Sequence, residues 1–123
     1  MYQKSVLCNS EVILTKVHMP RYLKGFDYTA AAIQCCLEDS SLLHGMEKRL
    51  YPLLSQMFHI SADGIDSSIR NAIRKTESQI EKQHLSPDDE ALKILQGLEG
   101  FTNNYFIAHI TAYLRAQGLA SKK

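Results

Sequence analysis

Apolar residues recur every three or four positions along nearly the whole of this chain, in runs separated by prolines, glycines and short polar clusters. A half-buried strand would instead alternate apolar and polar residues, and no long segment does so. That period sets the fold class as all-α. Each amphipathic segment must lay its stripe on a neighbour, so the expected architecture is a compact bundle of about six helices. With 123 residues the chain suits a single domain that buries about two thirds of the surface its unfolded form exposes, with an ordered core from about residue 10 to residue 117.

Ser10 reads as the N-cap of a first helix through about His18, carrying Val12, Ile13 and Val17 and closed by Pro20. Arg21 to Phe26 then reads as a linker. Asp27 can cap a second helix, Tyr28 to Glu38, whose Ala31, Ala32, Ile33, Cys35, Cys36 and Leu37 are apolar on nearly every side and belong at the centre of the core. After a loop from Asp39 to Gly45, a third helix from about Met46 to Phe58 places Leu50, Leu53, Leu54, Met57 and Phe58 on one stripe, with Pro52 in its first turns. Ser61 caps a fourth, about Ala62 to Lys75, with Asp63 at its positive end and Ile65, Ile69, Ala72 and Ile73 at helical spacing. The polar stretch Thr76 to Leu85 suits either an extension of that helix or a loop. Ser86 and Pro87 open a fifth helix to about Leu98. Thr102 or Asn103 caps a sixth through Gln117, with Phe106, Ile107, Ile110, Tyr113 and Leu114 inward and Gly118 as terminator. The tail Leu119 to Lys123 is expected to fray.

The third and fourth helices are joined by about three residues, and the second of the pair starts with a capped turn and is apolar on one face only. This is the layout of a helix-turn-helix. Ser55 falls where the two helices would cross, His59 falls in the turn, where a positive φ is tolerated better by His than by branched residues, and Ile65 packs the second helix on the first. The face opposite the isoleucines presents Gly64, Ser67, Ser68, Arg70, Asn71 and Arg74. Arginine can hold guanine O6 and N7 together and asparagine adenine N6 and N7, each worth about 1–3 kcal/mol of discrimination. Lys48, Arg49, Ser61 with the free amides behind it, Arg74 and Lys75 are the candidate phosphate contacts. Asp63 and Asp66 on the same helix oppose phosphate unless they pair or point away.

Charge does not by itself point to DNA: the formal net charge is +1, from 14 basic and 13 acidic residues, where DNA-binding domains are often clearly basic. Cys8, Cys35 and Cys36 are an odd set without metal-ligand spacing and read as reduced thiols. His18, His44, His59, His84 and His109 are scattered and read as surface or packing residues, so neither metal nor cofactor is expected. The N-terminus lacks a secretory pattern and no apolar run is long enough to span a bilayer, which points to a soluble, cytoplasmic chain with no membrane partner. No nucleophile sits beside a base in a recognisable catalytic motif, so no enzyme is expected.

Four separated segments carry a family resemblance: Pro20-x-x-Leu23-Lys24-Gly25-Phe26-x-Tyr28, Lys48-x-Leu50-Tyr51-Pro52-x-x-Ser55-x-x-Phe58, Ile69-Arg70-Asn71-Ala72-Ile73 and Thr102-Asn103-x-x-Phe106-Ile107-Ala108. In order and spacing the chain, from about Ser10 to Gln117, resembles the DNA-binding effector domain of the master sporulation response regulator. The resemblance implies a six-helix bundle whose third and fourth helices bind double-stranded DNA at short, often tandem promoter sites, with a homodimer on those sites and RNA polymerase as further partners. It also implies control by a separate phosphorylated receiver domain, which these residues do not include; an excised effector domain and a stand-alone relative both fit. Arg70 matches a motif arginine that approaches the bases, and Asn71 replaces the usual histidine. Gly64 and Ser67 stand where familiar members carry arginines, a loss of two cations that weakens phosphate attraction and shifts the preferred sequence. The competing reading keeps the bundle but makes it a protein-interaction module, with Tyr105 and Tyr113 as a partner surface.

Overall fold

A computed structural model describes residues 4 to 118, with side chains from Asn9 onward; the expectations for Cys8 and for the tail 119–123 therefore lie outside the described residues. Among these residues there are six α-helices and no strand: α1 (Lys4–Lys16), α2 (Lys24–Glu38), α3 (Tyr51–Phe58), α4 (Ala62–Gln83), α5 (Glu90–Ile94) and α6 (Asn103–Ala116). A 3₁₀ turn, Ser40–His44, and a π-helical turn, Met46–Leu50, lead into α3. No described helix is long and apolar enough to cross a membrane.

The nearly all-round apolar sequence of α2 has the expected consequence: every residue from Gly25 to Leu37 except Asp27 is buried. Around it lie α1 with Ile13, Leu14 and Val17, α4 with Ile65, Ile69, Ala72 and Ile73, and α6 with Phe106, Ile107, Ile110 and Leu114, all in one hydrophobic core. Gly25 is the closest point of this packing. A Cβ there would lie 2.1 Å from the Ser68 carbonyl oxygen and 2.8 Å from the Ala72 Cβ, so α2 seats directly on the backbone of α4. Tyr28 of α2 also stacks at a tilt on Phe58, ring centroids 4.8 Å apart, which ties the end of α3 to the same helix. At its C-terminus, α2 is closed by Arg115, which donates to the carbonyls of Cys36 at 2.8 Å and Leu37 at 3.0 Å, a cation at the negative end of the helix. Burial pushes the thiols of Cys35 and Cys36 up to about 11 and about 12, which favours the protonated thiol over the thiolate at both.

Several boundaries differ from the sequence expectation. Ser10 is no cap; it is fully buried in the middle of α1, while Val12 of the expected apolar set is half-exposed. The expected linker Arg21 to Phe26 is instead entered by α2, which starts at Lys24 because Phe26 is drawn into the core; Asp27 sits in its first turn and Leu23 is the capping position, without a side-chain cap. The third helix is α-helical only from Tyr51, where Pro52 falls at its start, and Leu53 is 40% exposed rather than inward. The polar stretch after Lys75 continues α4 to Gln83, held by buried Thr76 at its near end. The fifth helix shrinks to Glu90–Ile94 with Asp89, not Ser86, as its cap, accepting from the Ala91 amide at 2.8 Å. Of the two candidates, Thr102 caps α6, accepting from the Tyr105 amide at 3.2 Å, and the helix ends at Ala116 ahead of Gly118 at φ +75°.

Candidate nucleic-acid interface

The turn between α3 and α4 forms as the residues dictate. His59 takes the left-handed conformation at φ 59° and ψ 41°, a region His enters more readily than branched residues, and its amide donates to Ser55 O at 2.9 Å. The Ser55 hydroxyl donates to the carbonyl of Ile60, closing the turn from inside. Ser61, extended at φ −68° and ψ 155°, caps α4 by accepting from the Gly64 amide at 3.0 Å. Ser61→Ala should therefore cost about 1 kcal/mol of stability, read as a shift of the denaturant midpoint at unchanged slope.

Within α4, Ile65, Ile69, Ala72 and Ile73 have no exposed surface. At about 100° of rotation per residue, the crest directly opposite them is formed by Ser67, Asn71 and Arg74, all exposed. Arg70 lies on one flank, toward α6, and Gly64 and Lys75 on the other. The candidate reading residues thus lie on the side of α4 turned away from its buried stripe, with Arg70 and Gly64 at its two edges. Gly64 is half-buried, and a Cβ there would meet Ile60 Cδ1 and Ser61 Oγ at 3.2 Å each; any larger side chain must push Ile60 slightly aside.

Of the candidate phosphate contacts, Lys48 is exposed in the turn ahead of α3, and Lys75 is exposed on α4. Arg49 is engaged elsewhere: its guanidinium donates to Ser41 Oγ at 3.0 Å and lies 3.6 Å from the Asp39 carboxylate. The hydroxyl and amide of Ser41 hold the Asp39 carboxyl below its ordinary value, with Arg49 a smaller influence. Ser61 accepts the cap bond with its oxygen, which leaves its hydroxyl hydrogen, like the amides at the start of α4, available as a donor to an anion.

A polar network that the sequence did not single out lies along the flank of α4. Arg70 pairs with Asp66 one turn earlier. The other Asp66 oxygen accepts from Asn103 Nδ2 at 2.9 Å, and the same amide donates to Tyr51 Oη at 3.0 Å and to the Asp66 carbonyl at 3.2 Å. Burial raises the Tyr51 phenol above its ordinary value, so it stays neutral. These residues border a groove of about 500 Å³ between α4 and the start of α6, lined also by Arg74 and Tyr105. The spacing of Asp66 and Arg70 was a legible signal, since residues four apart face each other on a helix. Nothing local announced that Asn103, on a different helix, would meet them.

A tight turn with a left-handed residue, an N-capped second helix and a buried stripe backing an exposed polar crest define a helix-turn-helix protein of the DNA-binding class. Residues 10–114 match the family model described as Sporulation initiation factor Spo0A C terminal, and the chain belongs to that family. It is a DNA-binding regulator domain of the sporulation-initiation type, as the four motifs implied.

Proposed function

We propose that this chain regulates transcription by laying α4 in the major groove of promoter DNA, reading bases with Arg70, Asn71, Ser67, Gly64 and Arg74. The observation that carries the reading is the division of α4 into a fully buried isoleucine stripe and an exposed crest that nothing in the bundle covers. Asn71 and Arg74 supply the hydrogen-bonding groups at the crest, Arg70 approaches from the flank, and Ser67 and Gly64 leave room for close approach to the bases. Lys48, Lys75 and the amides behind Ser61 fix the register on phosphates, with Arg49 held by Asp39 as a further, pre-oriented cation. Promoter DNA as partner implies action in the cytoplasm; tandem pairing of two copies and contact with RNA polymerase belong to the same proposal and rest on the resemblance alone.

Duplexes enriched from a random pool by the wild-type protein, followed by fluorescence anisotropy, test this. A shared sequence should emerge, and log affinity should fall linearly with log salt, at about 0.9 per phosphate neutralised. No enrichment, or binding indifferent to salt, would overturn the reading and leave the half-exposed Tyr105 as a candidate protein contact.

A further inference from the structure

We propose that Asp66 and Asn103 are positioning residues for DNA recognition, fixing the guanidinium of Arg70 so that it meets a base in one orientation; this rests on α4 reading the major groove. An arginine side chain has many rotamers, and an exposed one on a helix flank ordinarily samples many orientations. Here three elements converge to bias that freedom toward one orientation. Tyr51 of α3 is 3% exposed and Asn103 of α6 is 8% exposed, so both are enclosed by the bundle, and the two hydrogens of the Asn103 amide are shared among Tyr51 Oη, the Asp66 carbonyl and Asp66 Oδ1. The remaining carboxylate oxygen of Asp66 receives Arg70. With its anchor on one side, Arg70 keeps 45% of its side chain exposed, which leaves the outer donors free to engage a base. The same contacts bind the start of α6 to the reading helix, so the aim of Arg70 is set by the bundle and not by α4 alone.

Electrostatics and positioning make opposite predictions for Asp66→Asn. Removing a carboxylate from a surface that faces phosphates should by charge alone tighten every duplex. If Asp66 aims Arg70, the variant should tighten binding to a scrambled duplex but bind the wild-type-selected duplex about tenfold less selectively, within the range of one bidentate arginine–guanine pair. Asp66→Glu, which keeps the charge on a longer arm, should recover part of that selectivity. Asn103→Ala should lose selectivity as Asp66→Asn does while leaving all charges in place, and a thermal melt on each variant establishes that it is folded. Equal tightening on selected and scrambled duplexes by Asp66→Asn would overturn the proposal and make Asp66 a simple repulsive charge. Should Asn103→Ala fail to fold, the Asp66→Asn and Asp66→Glu pair still decides. A wild-type protein that enriches no sequence would instead defeat the DNA-reading hypothesis itself, a result distinguishable from both.

Discussion

Gly25→Ala should destabilise the protein by about 2–3 kcal/mol, toward the upper end of overpacking costs, and lower its melting temperature by roughly 10 °C. The sign is the informative part. Gly25 lies in the first turn of α2, and in a helix an alanine is ordinarily better than a glycine by roughly 0.5–1 kcal/mol, so propensity alone predicts a gain. Packing predicts a loss, because the added methyl would sit 2.1 Å from the carbonyl oxygen of Ser68 and 2.8 Å from the Ala72 Cβ. Ser68 O belongs to helix backbone and cannot swing aside; α2 and α4 must separate. Gly45 provides the control. The three atoms nearest its Cβ all belong to the flexible, exposed Arg49 side chain, at 3.1 Å and beyond, and its φ is negative at −151°, so Gly45→Ala should cost far less, about 0.5 kcal/mol. Differential scanning calorimetry on the two variants checks both. A Gly25→Ala protein as stable as the parent would show that α2 does not rest on α4 as described. Because α4 is seated by this contact, the Gly25 variant should also bind DNA more weakly in proportion to the population that has lost the seat.

The double replacement Arg70→Ala with Asn71→Ala should lower discrimination between a selected and a scrambled duplex by at least about thirtyfold, since two base-reading pairs at about 1–3 kcal/mol each are removed. Adjacent residues need not add, so the double variant is the measure and the single ones its check. Stability should barely change: both side chains are exposed, and the ion pair of Arg70 with Asp66, half in solvent, is of the exposed i,i+4 kind worth about 0.3–0.5 kcal/mol. Binding to scrambled DNA should weaken less, with the salt slope nearly unchanged, because neither residue is assigned to a phosphate. Anisotropy titrations across salt concentrations read all three quantities. Unchanged preference in the double variant would remove both residues from the reading surface.

The outcome for α4 shows where local sequence is informative. Ser61, Asp63 and the isoleucine spacing marked its start and its buried face, because capping and periodicity act within one turn of the residues concerned. His59 was legible for a similar reason: the conformation it takes is a property of one residue and its neighbours. Ser10 misled because a serine can also be buried inside a helix when the residues around it are wanted in the core, and Leu23 starts α2 with no cap signal because Phe26 supplies the burial that a cap would otherwise assist.

By itself, then, the sequence determined that this chain is a helical bundle, that α2 and the isoleucine stripe of α4 turn inward, and where a turn joins α3 to α4. Those properties follow from periods and caps that span a few residues. Only the tertiary structure decided that Gly25 is the seat of α4, that Arg49 is engaged with Asp39, and that Arg70 is anchored through Asp66 and Asn103 to Tyr51. Each of these joins residues distant along the chain, Tyr51 and Asn103 being separated by 52 positions, and such meetings are set by how whole helices cross rather than by anything within a turn of either residue.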